Sequence, residues 1–266
     1  MSQSHLTGGL RKKNIFKSNS KTKPLISIIT VVLNNEKYLQ ECIDSLNIQK
    51  YTNYEHIIID GGSTDNTIKI IKKNEDKIDF WISEKDKGIY DAMNKGIKKA
   101  KGNIIGILNS DDTYTKEALT IVNEYFKNDQ KLDFLFGSVK KDRVMSGYHP
   151  HKIKWKFNIY PGHSSGFFIK KSTHNKIGLY NIKFKYSADY DLIYRMIVKH
   201  KLYGKCTNHN EITGNFRMDG LGSRVNFFGK IFEETKIRMH NKQNILVIIS
   251  LIVLHSLNFF FYKLRT

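Results

Sequence analysis

Apolar and polar positions along this chain repeat at two periods. Leu25 to Leu33, Tyr54 to Asp60, Ile78 to Ser83 and Ile104 to Leu108 are short, nearly continuous apolar runs, each followed by polar residues. Runs of this length and β-branched content predict buried strands of a parallel sheet. Between them apolar residues recur at helical spacing. Tyr38, Leu39, Cys42, Ile43 and Leu46 follow Asn34-Asn35, which predicts a helix opening there; Ile68 and Ile71 follow Asp65, a predicted N-cap; Ala92, Met93, Ile97 and Ala100 share one face of a helix near 90–101. Strands alternating with helices are the mark of βαβ units, so the predicted fold class is α/β, a mostly parallel sheet flanked by helices.

The same patterning divides the chain. Residues 1–24 are polar, rich in Lys and Ser, and lack the apolar core of a secretory signal. This predicts a basic flexible segment and a cytoplasmic protein. Residues 25–225 read as one domain, regular over 25–119; beyond Lys140, within 120–225, the alternation fades and aromatics and histidines increase. Residues 226–266 read as a C-terminal helical segment. In it Ile245 to Tyr262 is mostly apolar, with His255 and Asn258 inside and Lys242 and Lys263-Leu264-Arg265 outside. That length is borderline against the ~20 residues needed to span a bilayer. Internal polar residues and cations at both ends suit a helix lying in the membrane surface, with a spanning helix and a soluble helix packed on the domain or in a homodimer as the alternatives.

Charge narrows the partners. Lys and Arg number 44 against 25 Asp and Glu, a formal net charge of +19, which attracts nucleic acid, an anionic leaflet or phosphorylated substrates. No nucleic-acid motif accompanies it, so no nucleic-acid partner is expected. Cys42 and Cys206 are too few for a disulfide framework, and Cys206 with His209 has no second pair to complete a zinc site.

The candidate chemistry lies in acids. Ile104-Ile105-Gly106-Ile107-Leu108-Asn109-Ser110-Asp111-Asp112 is a buried strand that ends in two adjacent carboxylates, and ligands of open α/β sheets bind at the carboxyl ends of strands. Neighbouring carboxylates repel unless a divalent cation or hydrogen-bond donors hold them, although Ser-Asp-Asp also suits an ordinary turn. Ser187-Ala188-Asp189-Tyr190-Asp191-Leu192 places two more acids on a helix. At about 100° per residue they point roughly 200° apart, so only one can face a site. Asp191 is suited to pair with Arg195, four residues on.

Four segments then occur in order: Ser27-Ile28-Ile29-Thr30-Val31-Val32-Leu33-Asn34, Asp60-Gly61-Gly62-Ser63-Thr64-Asp65-Asn66-Thr67, Asp91-Ala92-Met93-Asn94-Lys95-Gly96 and Asn109-Ser110-Asp111-Asp112. With them the chain resembles family 2 glycosyltransferases of the GT-A (Rossmann-like) fold, most tightly over Leu25 to Leu119 and more loosely to Arg224. The Asn-Ser-Asp-Asp spelling and the segment Lys87-Gly88-Ile89-Tyr90-Asp91-Ala92-Met93-Asn94 are similar to enzymes that build bacterial polysaccharides on lipid carriers. The resemblance implies a nucleotide-sugar half at 25–119 and an acceptor half at 120–225. It implies that Asp111 lies near ribose and metal, that Asp112 coordinates Mn²⁺ or Mg²⁺, and that Ser110 lies with them at the nucleotide sugar. It implies that Asp60 accepts a uracil N–H, hence a UDP-sugar donor, that Val31, Leu33 and Glu36 border the base, and that Gly88 and Asp91 close over the donor. Asp189 takes the general base's place, and His163 and Arg217 fall on acceptor-side loops. Two positions depart from the family pattern: Asn109 replaces its first acid, and Ala188 replaces the Glu before the base. Asn109 is therefore expected to support the loop or bind sugar rather than metal. Asn94 suits a structural role equally well.

The resulting expectation is an inverting hexosyltransferase moving one sugar (Glc, Gal, GlcNAc or GalNAc) to a polyprenyl-diphosphate-linked saccharide in O-antigen, lipopolysaccharide or capsule assembly. It would sit peripherally on the inner face of the plasma membrane. The alternative from a different class is a basic, non-enzymatic nucleic-acid- or membrane-binding protein.

Overall fold

The computed structural model describes residues 5–20, 22–150, 153, 164–217 and 227–263. The four apolar runs become β2 (Ile26–Val32), β3 (Tyr54–Asp60), β4 (Phe80–Ser83) and β5 (Ile104–Ile107). They pair in parallel in the order β4-β3-β2-β5. Among the described residues the sheet continues past β5 with β10 (Phe167–Lys170), β7 (Phe134–Phe136) and β11 (Gly204–Cys206), β10 running antiparallel to both neighbours. A smaller sheet orders β6 (Thr113–Tyr114), β12 (Ile212–Asn215), β8 (Ser138–Lys140) and β9 (Val144–Met145).

Every residue of β2 is buried, because both faces of the sheet are covered. Ile29 and Val31 join the core layer containing Ile57, Ile59 and α3 (Ile89–Lys99), while Ile26, Ile28 and Val32 face layers that include α1 (Leu39–Asn47). This is the two-residue alternation of a strand buried on both sides. Helix α3 lies so close to β2 that a Cβ on Gly96 would stand 2.3 Å from Ile29 Cγ2. Further helices among the described residues include α2 (Thr67–Lys73), α4 (Ala118–Asn128), α5 (Lys171–Ile177), α6 (Ala188–Tyr194), α7 (Phe227–His240) and α8 (Ile245–Lys263).

Two expectations are corrected. Helix α1 begins at Leu39 rather than at Asn34-Asn35. The N–H groups of Asn34, Asn35 and Glu36 are instead donated to Ser63 Oγ, Thr67 Oγ1 and Asp65 Oδ2, so side-chain acceptors of a neighbouring loop compete successfully with a helical turn. The segment before Leu25 is not a loose tail either. β1 (Leu6–Gly8) adds antiparallel to β4, Arg11 meets the buried carboxylate of Glu55 at 2.5 Å, and Lys17 meets Asp79 at 3.0 Å. The basic residues are used as counter-charges for acids inside the sheet, and a buried charge requires such partners.

Burial also sets an acid limit on stability. His56, whose Nε2 lies 3.0 Å from Thr30 Oγ1, is lowered from 6.5 to about 3 by burial, and His174 is lowered to about 4 by burial. The unfolded chain therefore binds protons that the folded chain refuses once pH falls below 6.5. Stability is expected to drop by about 1.4 kcal/mol per pH unit for each histidine. Thermal unfolding followed from pH 6.5 to 5 checks this, and His56→Gln is expected to remove about half of the slope.

The C-terminal segment packs against residues 185–194. Arg238 of α7 is fully buried, lies over the rings of Tyr190 and Tyr194 at 5.5 and 5.6 Å, and donates to Gln243 Oε1. Asn241 donates to Asp191 Oδ1, and Glu233 accepts the N–H groups of Lys185 and Tyr186. Helix α8 turns Ile248 and Leu251 inward and exposes Leu246, Ile249, Val253 and Leu257. Among the described residues no helix is long and apolar enough to cross a membrane.

Candidate active site

The register Val32↔Asp60 and Asp60↔Ser83 brings the carboxyl ends of β2, β3 and β4 to one edge. Asp60 is fully buried there. Its Oδ2 accepts from the N–H groups of Gly62 and Ser63, both at 3.0 Å, and from Ser83 Oγ at 2.6 Å; its Oδ1 accepts from Ser63 Oγ at 2.5 Å. The carboxylate thus shapes the turn at 61–64, in which Gly62 adopts φ 90°, a conformation that favours glycine. Leu33 is 53% exposed beside this turn, an apolar wall at the end of β2, whereas Val31 packs its side chain into the core. Glu36 accepts from the Asn66 N–H at 2.8 Å and from Asn66 Nδ2 at 2.6 Å, stitching the β2–α1 loop to the β3–α2 loop.

Asp86 belongs to the same edge and was not singled out from the sequence. Its Oδ2 is 2.5 Å from where a Gly61 Cβ would stand, so a larger residue at 61 would push the Asp86 carboxylate aside. Burial raises its carboxyl above the ordinary range, opposed by the Gly88 N–H and reinforced by the charges of Asp91 and Asp60. The available signal was an acid three residues beyond a strand's carboxyl end, in Glu84-Lys85-Asp86-Lys87-Gly88. Gly88 caps α3 at φ 114°, and a Cβ there would meet nothing within 4 Å. Asp91 accepts the Lys87 N–H at 3.0 Å and lies 3.8 Å from Lys95 Nζ.

The acid turn is tied to the first loop through Asn35 Nδ2, which donates to Ser110 Oγ at 2.8 Å. Asp112 is 1% exposed and its Oδ1 accepts the Arg217 N–H at 3.1 Å. Arg217, expected on an acceptor-side loop, lies against the acid turn and stays one-third exposed, its side chain 33% accessible. Its Nε donates to the Asp111 carbonyl at 3.0 Å, its Nη2 to Glu41 Oε2 at 2.6 Å, and its guanidinium lies 4.2 Å from the centre of the Tyr38 ring. Planar stacking and several donors in one group make arginine suited to clamping this turn against α1. Asn109 Nδ2 donates to Ser164 Oγ at 2.8 Å, and its buried Oδ1 meets no hydrogen-bond partner among the described residues.

Among the described residues no three His, Cys, Asp or Glu side chains form a ready-made metal cage. Asp111 and Asp112 nevertheless offer hard oxygen donors of the kind Mg²⁺ and Mn²⁺ prefer, and such ions commonly complete their shell with substrate phosphates and water. The donor set therefore fits a shared, substrate-completed ion. His209, the partner of Cys206 in the Cys-x-x-His spacing, has its Nδ1 2.9 Å from Ser146 Oγ.

The two acids of α6 part as their spacing requires. Asp191 is fully buried, 2.8 Å from Arg195 Nε, and Arg195 also donates to the carbonyls of Ile177 and Leu179. Asp189 is half-buried and its Oδ1 accepts the Tyr190 N–H at 2.8 Å and the Tyr90 hydroxyl at 3.1 Å. Asn94 is structural, exchanging two hydrogen bonds with the main chain of Tyr180. His163 lies outside the described residues.

Comparison with known proteins converges on one family. The family model described as glycosyl transferase family 2 matches residues 27–190. An uncharacterised glycosyltransferase of Rickettsia typhi is 32% identical over 224 residues, covering 74% of this chain and 68% of its own. A PGL/p-HBAD biosynthesis glycosyltransferase of Mycobacterium bovis is 28% identical over 204 residues, covering 72% of this chain and 78% of its own. Among solved structures, S. aureus TarS 1–349 in complex with UDP-GlcNAc superposes with TM-score 0.63 at 18% identity, over 80% of this chain and 65% of that one. A mannosyltransferase from Pyrobaculum calidifontis in complex with GDP-Man and Mn²⁺ superposes with TM-score 0.61 at 15% identity, over 88% of this chain and 69% of that one. Against the longer TarS chain the match spans 39% of its length. The expected GT-A fold, a large central sheet flanked by helices, is the fold observed.

Proposed function

The chain belongs to glycosyl transferase family 2, and from that premise we propose that it transfers one hexose or N-acetylhexosamine, with inversion, from a UDP-sugar to a polyprenyl-diphosphate-linked saccharide in cell-surface polysaccharide assembly. The observation that carries this reading is the joined edge of strand ends, where the Asn109–Asp112 turn is fastened to the loop after β2, and that loop in turn to the loop after β3. Leu33 and the 61–64 turn offer a wall and main-chain groups for the base, with Asp60 holding that turn in shape. Asn109 Oδ1 offers an acceptor to a sugar hydroxyl.

Asp189 accepts the proton of the acceptor hydroxyl as that oxygen attacks the anomeric carbon, while the bond from that carbon to the phosphate oxygen breaks and the nucleoside diphosphate leaves. Attack opposite the leaving group inverts the centre. A divalent ion on Asp111 and Asp112 would neutralise charge on the departing diphosphate.

TarS carries UDP-GlcNAc on the same fold, which supports the uridine donor. The net charge of +19 and the exposed stripe of Leu246, Ile249, Val253 and Leu257, with Lys236 and Lys242 nearby, support docking on an anionic bilayer beside a lipid-linked acceptor. Calorimetry of UDP, GDP and ADP with Mn²⁺ and then EDTA is expected to show selective, metal-dependent UDP binding, and the same protein is expected to pellet with anionic but not zwitterionic vesicles. Selective GDP binding would transfer the donor to the guanine class. A stable dimer that ignores both vesicles would assign the stripe to a second copy.

A further inference from the structure

We propose that Tyr90 is a positioning residue for Asp189, holding its carboxylate ionised and aimed, and that this bond joins the donor-side helix α3 to the acceptor-side helix α6. The inference rests on the reading of Asp189 as the base.

Tyr90 is the second residue of α3, two positions after the Gly88 cap that borders the donor loop. Its phenol oxygen lies 3.1 Å from Asp189 Oδ1 and 3.1 Å from the Tyr186 carbonyl, so its one proton sits in a three-centre bond between them. The ring cannot drift. It packs 5.5 Å from the Tyr180 ring, and the Tyr180 main chain is gripped on both sides by Asn94 of α3. The other acceptor is equally fixed, because Glu233 of α7 takes the N–H groups of Lys185 and Tyr186 at 2.6 and 2.7 Å. Oδ1 is thus held from two directions, by the Tyr90 hydroxyl and the Tyr190 N–H. A base held this way keeps its geometry without reorganising when the acceptor arrives.

The chemistry of the pair runs one way. Burial, then the Asp189 charge, raise the ionisation of Tyr90 well above that of a free phenol, so it remains a donor. A hydrogen bond given to a carboxylate favours its charged form and keeps it a competent base at lower pH. Among the described residues the other ionisable groups around it have partners of their own or remain neutral. Tyr180 and Tyr190 are phenols that burial keeps neutral, Asp191 and Arg195 are paired with each other, and Glu233 is committed to main-chain N–H groups at the rim, where Lys185 is exposed.

Tyr90→Phe tests this, because it keeps the ring against Tyr180 and removes only the hydroxyl. With UDP-GlcNAc as donor probe, GDP-mannose in parallel, and water as acceptor, kcat for donor hydrolysis is expected to fall about tenfold or more, with the donor KM within about twofold. The acidic limb of kcat/KM is expected to move up by about 0.5 to 1 pH unit. Carbon-13 carboxyl titration, with the Asp189 signal assigned by difference against Asp189→Asn, is expected to show the same upward move without relying on turnover. An unchanged Asp189 titration in a variant that melts like the parent overturns the inference. A rise in donor KM with no shift of the limb also overturns it and makes Tyr90 a donor contact. Substantial turnover by Asp189→Asn would instead overturn the base reading itself.

Discussion

Asp189→Asn is expected to lower sugar transfer by about 10²- to 10⁴-fold, the usual contribution of a positioned general base, while nucleotide affinity stays within about twofold. The amide is nearly isosteric, and its oxygen can still accept from the Tyr90 hydroxyl and the Tyr190 N–H, so the local structure has no reason to change. What disappears is the ability to take a proton. The companion variant Asp191→Asn is expected to behave in the opposite manner. Asp191 is fully buried and paired with Arg195, and breaking such a pair typically costs about 3–5 kcal/mol. That variant should lose thermal stability first and activity only as a result. Steady-state kinetics, nucleotide calorimetry and melting curves on the two proteins separate a chemical acid from a structural one two residues away. Equal loss of transfer and nucleotide binding in Asp189→Asn would count against its role as base.

Asp112→Asn is expected to weaken metal-dependent nucleotide binding by more than about 100-fold, since removing even an outer-shell partner of a metal site costs about 10- to 100-fold. The side-chain oxygen of the amide can still accept the Arg217 N–H, so the clamp that holds the acid turn to Glu41 and Tyr38 should survive. Asp112→Ala adds a second loss. It leaves the Arg217 N–H without its acceptor, at a cost of about 1–3 kcal/mol in stability. Calorimetry with Mn²⁺ and then with EDTA distinguishes the two effects: in EDTA the Asn variant should bind nucleotide as the parent does. A variant that matches the parent in both conditions would remove Asp112 from the metal site.

What could be read from residue order was whatever depends on local periodicity. Ile and Val in short unbroken runs can be satisfied only by strands covered on both faces, and those runs became β2, β3, β4 and β5. The two-residue offset between Asp189 and Asp191 forces divergent directions on any helix, and the structure shows one acid paired inward and the other near Tyr90. The order of motifs carried the family in the same way.

Tertiary structure decided everything that turned on a partner distant in the chain. The basic N-terminal segment reads as a solvated tail, because nothing local shows that Glu55 and Asp79 inside the sheet need Arg11 and Lys17. Arg217 reads as a loop cation until Glu41, some 176 residues away, is found beside it. Asp86 reads as one acid among lysines until Gly61 brings its loop against it. Tyr90 reads as a helix residue until Asp189, 99 residues on, accepts its hydrogen bond. Hydrophobic period is a property of neighbours in sequence and survives in the bare chain. Charge pairing and hydrogen bonding are properties of neighbours in space, and they come into existence only when burial has removed water as the competing partner.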